Sequence, residues 1–126
     1  MREKHNLIKD SVSCEGSVRV DLLGGTLDLF PINHLYKNLY TLNMATSLKA
    51  KIKINKISDQ KIIIHSTNYN SSNEYPLDLN FYTDNEFDIS LYKEMTFVLL
   101  LINHFNIQDG IEVWLDSDAP AGSGLG

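Results

Sequence analysis

The chain has 126 residues, of which 43% are hydrophobic and 21% charged. That gives room for one compact domain with its own core and is too apolar for a disordered tail. A formal charge of −5 excludes a general nucleic-acid binder, whose phosphate contacts need a basic field. The single cysteine, Cys14, excludes an internal disulfide and a cysteine-based zinc site, and the longest apolar run, Phe97 to Ile102, is too short to span a bilayer.

No apolar stretch of signal-peptide type follows Met1 to His5, so a cytoplasmic location is expected. Residues 1–12 read as a polar N-terminal arm, and residues 13–126 as the domain. A first strand is predicted near Ser13–Leu23, with Val18, Val20 and Leu22 on one face, ending at the breaker pair Gly24-Gly25. Leu39–Ile57 reads as one long strand or two joined strands. Its later half alternates: Leu48, Ala50, Ile52 and Ile54 point one way, and Lys49, Lys51, Lys53 and Asn55 the other. Ser58-Asp59-Gln60 is a predicted turn, Lys61–Thr67 the return strand of a hairpin, and Asn68–Glu74 a polar loop.

Leu91–Phe105 carries the helical period, with Leu91, Met95, Val98, Ile102 and Phe105 spaced four, three, four and three apart. Leu99, Leu100 and Leu101 widen its stripe, so the helix is expected to be buried on most of its circumference, with Ser90 or Asp88 as N-cap. After the break at Asp109-Gly110, Ile111, Val113 and Leu115 alternate with Glu112, Trp114 and Asp116, as in a strand.

That strand delivers Pro120-Ala121-Gly122-Ser123-Gly124-Leu125-Gly126. Glycines at alternate positions let a backbone approach a ligand closely. Their successive N–H groups form a nest for anions. The pattern suits a polyphosphate, yet no Lys follows as in a P-loop, and G-x-G-x-G is not the dinucleotide fingerprint G-x-G-x-x-G. A flexible Gly/Ser terminus is the alternative. The second segment is the strand end Arg19 to Leu23, followed by Gly24-Gly25-Thr26-Leu27-Asp28. A carboxylate beside a glycine turn can accept hydrogen bonds from sugar or polyol hydroxyls. Taken alone, Asp28 reads as an Asx-type turn residue.

Together the two segments resemble the motifs of the GHMP kinases (galactokinase, homoserine, mevalonate and phosphomevalonate kinases). Arg19, Gly24 and Asp28 keep the mutual spacing of Arg, Gly and Asp in the family pattern Pro-Gly-Arg-Val-Asn-Leu-Ile-Gly-Glu-His-Thr-Asp. Pro120 to Gly126 follow the family's Pro-x-Gly-Ser-Gly-Leu-Gly-Ser-Ser motif as far as Gly126. The resemblance spans about residues 13 to 126 and is nearer to sugar kinases such as galactokinase and heptose 7-phosphate kinase. Gly25, Thr26 and Leu27 depart from the galactokinase residues Glu, His and Thr.

The resemblance implies an α+β fold: a two-layer domain of mostly antiparallel sheet with a packed helix, like that of a ribosomal protein, and incomplete. It implies transfer of the γ-phosphoryl of ATP, with Mg²⁺, to a hydroxyl of a sugar or sugar phosphate. Such catalysis rests on positioning and charge neutralisation. Pro120, Ala121, Gly122, Ser123, Gly124, Leu125 and Gly126 would cradle the ATP phosphates. Gly24, Gly25, Thr26 and Asp28 would bind the substrate. Arg19 would stand near the transferred phosphoryl or orient an acidic group, with a surface salt bridge as the equal alternative. No metal ligand is expected within the chain, and the chain alone is expected to be inactive. A polyol or isoprenoid alcohol as substrate, or a truncated non-catalytic product able to dimerise through an exposed apolar face, are the alternatives.

The remaining candidates read as structural. The four histidines, His5, His34, His65 and His104, show no metal-ligand spacing. Cys14 reads as a half-buried strand residue, the Lys49/Lys51/Lys53 row as a solvated face and Trp114 as packing. Tyr36 and Tyr40 either line a sugar pocket or pack.

Overall fold

A computed structural model describes residues 10–27, 29–83, 86–88 and 92–120. The first strand, β1 (Ser11–Leu23), starts two residues earlier than Ser13 because Ser11 and Val12 continue the ladder with β2 (Leu42–Lys56). The two run antiparallel from Ser11 opposite Asn55 to Leu23 opposite Leu42, with register shifts at Ser17/Arg19 and Asp21/Leu23. Such shifts bend a strand and re-aim its side chains. Val18 is buried, while Leu22 on its expected face is 56% exposed. A one-turn helix, α1 (Ile32–Leu35), lies in the connection from β1 to β2.

The later half of β2 alternates as predicted, with Ile52 and Ile54 packed against the core. The hairpin predicted from β2 into β3 (Lys61–Ser66) does not form. The last strand, β7 (Ile111–Ser117), lies between them, antiparallel to β2 and parallel to β3. The residues predicted as a polar loop instead contain β4 (Ser71–Pro76), which returns antiparallel along β3. As an edge strand, β4 needs backbone pairing more than apolar side chains. Asn70 takes φ 46 in the turn before it, a conformation Asn tolerates. The main sheet order is β1-β2-β7-β3-β4. A two-residue ladder joins β5 (Tyr82–Thr83) to β6 (Glu86–Phe87).

The predicted helix is shorter than its period suggested. A 3₁₀ turn at Lys93–Met95 leads into α2 (Thr96–His104), whose N-cap is Met95, with no side-chain cap bond. Asp88 is therefore not the cap, and Ser90 and Leu91 lie outside the described residues. Nor is the helix buried nearly all round. Met95, Thr96 and Leu99 face inward, whereas Phe97 is 70% and Phe105 65% exposed. One helix on one sheet face covers only one stripe. Leu99 and Met95 pack with Ile62 and Ile64 of β3, Ile111 and Val113 of β7, and Phe81. Each such side chain contributes about 1.5–3 kcal/mol of burial. Gly110, just before β7, lies against the carbonyl of Asp59, where a Cβ would collide. The result is the expected α+β architecture. Among the described residues no helix is long and apolar enough to cross a membrane.

Candidate functional site

β7 ends where the glycine-rich segment begins, and the structure fastens that junction to β2. The backbone N–H of Lys49 donates to the Asp118 carboxylate at 2.9 Å. The Asp118 N–H donates back to the Lys49 carbonyl at 2.8 Å. Lys51 Nζ reaches the other carboxylate oxygen at 3.2 Å. From the far side, Asn68 Nδ2 donates to the carbonyls of Ser117 (3.0 Å) and Ala119 (3.2 Å). Ala119 is buried, and its N–H donates to Ser117 Oγ at 3.1 Å. Five donors therefore hold the chain up to Pro120, the one described residue of the predicted phosphate loop. Ala121, Gly122, Ser123, Gly124, Leu125 and Gly126 lie outside the described residues.

The electrostatics of the junction follow from these bonds. Accepting the Lys49 N–H, and then the Lys51 ammonium, holds the Asp118 carboxyl below its usual range. The same Asp118 hydrogen bond raises the Lys51 ammonium above its usual value. Lys49 Nζ donates to Ser17 Oγ at 2.8 Å, and Lys51 also lies 3.9 Å from Asp116. Within the lysine row expected to be a solvated face, Lys51 and Lys53 are exposed, and Lys49 and Lys51 also bond to β1 and to the end of β7. Beside it a groove of about 520 Å³ runs past Ala50, Ile52, Asn68, Phe97 and Val98 to Ala119 and Pro120.

The second predicted segment lies at the far end of β1. Arg19 and Asp21 share one face of the strand, with Arg19 Nε 3.1 Å from Asp21 Oδ1. A Cβ on Gly25 would stand 2.9 Å from Asp21 Oδ2, so this glycine leaves room for the acid that Arg19 holds. Gly24 takes φ 73, where a side chain is strained, and a Cβ there would meet the Tyr40 carbonyl at 2.7 Å. The Leu27 N–H closes the turn onto the Gly24 carbonyl at 2.9 Å. Thr26 is exposed, and its carbonyl accepts from the Leu29 N–H at 3.3 Å. Asp28 lies outside the described residues.

The ladder measures the gap between the two segments. Ser17 lies opposite Lys49, which holds Asp118, and the strand runs six residues on to Leu23. That is roughly 20 Å at about 3.3 Å per residue. Six extended residues beyond Pro120 reach about the same length. Sequence reasoning missed Asn68, Asp118 and the role of Lys49 and Lys51. Asp118 immediately before the Ala-Pro step was the one available signal. Among the described residues no cluster of three His, Cys, Asp or Glu could hold a metal ion.

No family model matches the chain, and no curated protein matches it in sequence. Its fold is similar to several solved kinases. A protein assigned as a sugar kinase from Campylobacter jejuni aligns over 92% of this chain and 36% of its own, at 26% identity and a TM-score of 0.56. A D-glycero-D-manno-heptose 1-phosphate kinase from Bacteroides thetaiotaomicron aligns over 91% and 36%, at 26% identity and a TM-score of 0.63. Lactococcus lactis galactokinase, solved with galactose, aligns over 94% and 29%, at 18% identity and a TM-score of 0.64, a likeness of fold alone. The chain spans about a third of the length of these kinases.

Proposed function

We propose that this chain, of the GHMP kinase family, supplies the ATP-phosphate loop and the acceptor-side turn for phosphoryl transfer to a hydroxyl of a sugar or sugar phosphate. One observation carries the reading: the 26% identical fold match to a heptose 1-phosphate kinase covers 91% of the chain. The anchored junction at Asp118 supports it, because phosphate binding by main-chain amides works only where the backbone is held in place beforehand.

The roles follow from position. The amides of Gly122 to Gly126 would face the ATP phosphates, with the groove ending at Ala119 and Pro120 open to the rest of the nucleotide. Asp28, next in sequence to the closed Gly24–Leu27 turn, would take acceptor hydroxyls. Arg19 would orient the Asp21 carboxylate, its partner on β1. Bound Mg²⁺ would neutralise charge on the phosphates. Transfer itself would need the further length that the solved kinases carry.

Calorimetric titration of the 126-residue chain with ATP in the presence of Mg²⁺ tests this. Binding is expected, and Gly124→Val is expected to abolish it. A chain that takes up no ATP at millimolar concentration, while its circular dichroism shows it folded, ends the proposal.

A further inference from the structure

β7 runs on past the end of its neighbour β3. Among the described residues the last main-chain bond between them goes from the Thr67 N–H to the Leu115 carbonyl at 3.0 Å. Beyond it a side chain takes over. Asn68 Nδ2 donates to the Ser117 carbonyl at 3.0 Å and to the Ala119 carbonyl at 3.2 Å. One primary amide carries two N–H groups, and here they serve two carbonyls that an extended chain points the same way. Asn68 is itself placed by the turn from β3 to β4, which the Asn70 N–H closes onto the Thr67 carbonyl at 3.1 Å. The two peptide groups depend on it unequally. The Ser117–Asp118 peptide is held from the other side as well, by the Asp118 N–H on the Lys49 carbonyl. The Ala119–Pro120 peptide has no N–H, because proline carries none. Its plane therefore hangs on its carbonyl, and among the described residues Asn68 is the donor that the carbonyl has. Pro120 fixes its own φ and confines Ala119 to extended backbone, so this joint is stiff and takes its direction from that one bond.

We infer that Asn68 is a positioning residue for the phosphate loop: its side-chain amide occupies the Ala119 carbonyl and so sets the direction in which the glycine segment leaves β7. The inference rests on the kinase reading above and gives a role to the β3–β4 turn, which lies outside both sequence motifs. Asn68 acts through the backbone and not by contact with the phosphates. An anion site made of main-chain N–H groups works only if those groups are aimed in advance, and a carbonyl free to turn brings the wrong end of a peptide dipole to the anion. Alanine at position 68 leaves both carbonyls without the amide. Aspartate keeps the shape and reverses the sense, setting a carboxylate against two carbonyl oxygens.

The test is calorimetric titration of the full 126-residue chain with ATP and with inorganic tripolyphosphate, each with Mg²⁺. Asn68→Ala is expected to weaken both by about tenfold, the gain that two hydrogen bonds of ordinary net strength supply. Asn68→Asp is expected to weaken both further. Asn70→Gly is the control, because it removes a side chain from the same turn at φ 46, which glycine adopts freely, and both affinities are expected to stay within about twofold of the parent. Thermal melts on the same samples separate positioning from stability: a merely structural role lowers the melting temperature and leaves the affinity of the folded chain as it was. Unchanged affinity in Asn68→Ala, while the parent binds ATP, overturns this inference and leaves the kinase reading standing. A loss confined to ATP also overturns it, because Asn68 then acts on the nucleoside and not on the phosphates. So does an equal loss in Asn70→Gly, which would make the turn as a whole responsible and not the amide. Failure of the parent chain to bind ATP strikes the kinase reading, and this inference with it.

Discussion

The Asp118 carboxylate accepts the backbone N–H of Lys49 at 2.9 Å, while the Asp118 N–H is donated to the Lys49 carbonyl at 2.8 Å. This two-way clasp ties the last turn of the described chain to the middle of the sheet. The conformation of the residues beyond Pro120 therefore starts from a fixed point.

Replacing Asp118 by Asn removes the ion pair with Lys51 and weakens the bond to the Lys49 N–H. Stability is expected to fall only slightly, because Asp118 and Lys51 are both largely exposed and screened. ATP affinity is expected to fall by about tenfold, as one charge-assisted contact is lost from the support of the loop. Calorimetry with ATP and a thermal melt on the same preparation separate the two effects. Unchanged affinity would show that the clasp does not support the phosphate loop.

The pH dependence of the same pair has a definite sign. Asp118 has a lowered pKa in the folded chain, so its contribution is present above its ordinary value of 3.8 and is lost as pH falls through the lowered one. Lys51 has a raised pKa, so its contribution is present below 10.5 and is lost as pH rises through the raised one. The clasp is complete across the neutral range and fails at both ends. Urea midpoints measured from acid to neutral pH should rise less steeply in Asp118→Asn than in the parent. Parallel curves would contradict this assignment.

The two glycines of the turn should respond differently to alanine. At Gly24 the positive φ and the Tyr40 carbonyl both oppose a side chain, and a cost of about 1–2 kcal/mol is expected, relieved only if the turn opens. At Gly25 the added methyl meets Asp21 at Cβ (2.8 Å) as well as at Oδ2 (2.9 Å), so parting the Arg19–Asp21 pair does not relieve it fully, and a cost smaller than at Gly24 is expected because no positive φ adds to it. Chemical denaturation of both variants ranks them. Equal costs would mean that the turn is not held as described.

Core positions set the scale for these effects. Leu99→Ala, at a fully buried helix position, is expected to cost about 2–5 kcal/mol. Gly110→Ala, which drives a methyl into the Asp59 carbonyl, is expected to cost about 1–3 kcal/mol or more if β7 must shift. By contrast Phe97→Glu, on the exposed side of α2, should change stability by no more than about 0.5 kcal/mol. A large loss at Phe97 would show that this face is covered.

Periodicity and punctuation in the sequence were enough for most elements. The alternation of Ile52 and Ile54 with Lys51 and Lys53, and of Ile111 and Val113 with Glu112 and Trp114, assigned strands and inner faces correctly, because side-chain direction in a strand is a local property. The glycines at 24 and 25 and those beyond Pro120 pointed to the fold that the solved sugar kinases share, since glycine at a turn such as Gly24 marks a backbone conformation that other residues adopt only at a cost. Tertiary structure alone decided which strands pair. Alternation gives a face and says nothing about a neighbour, so β7 could enter between β2 and β3 and displace the expected hairpin. The same holds for β4, whose polar residues form a strand only because β3 offers them backbone partners. The clasp of Asp118 on Lys49 joins positions 69 residues apart, and only the folded sheet brings them within hydrogen-bond reach.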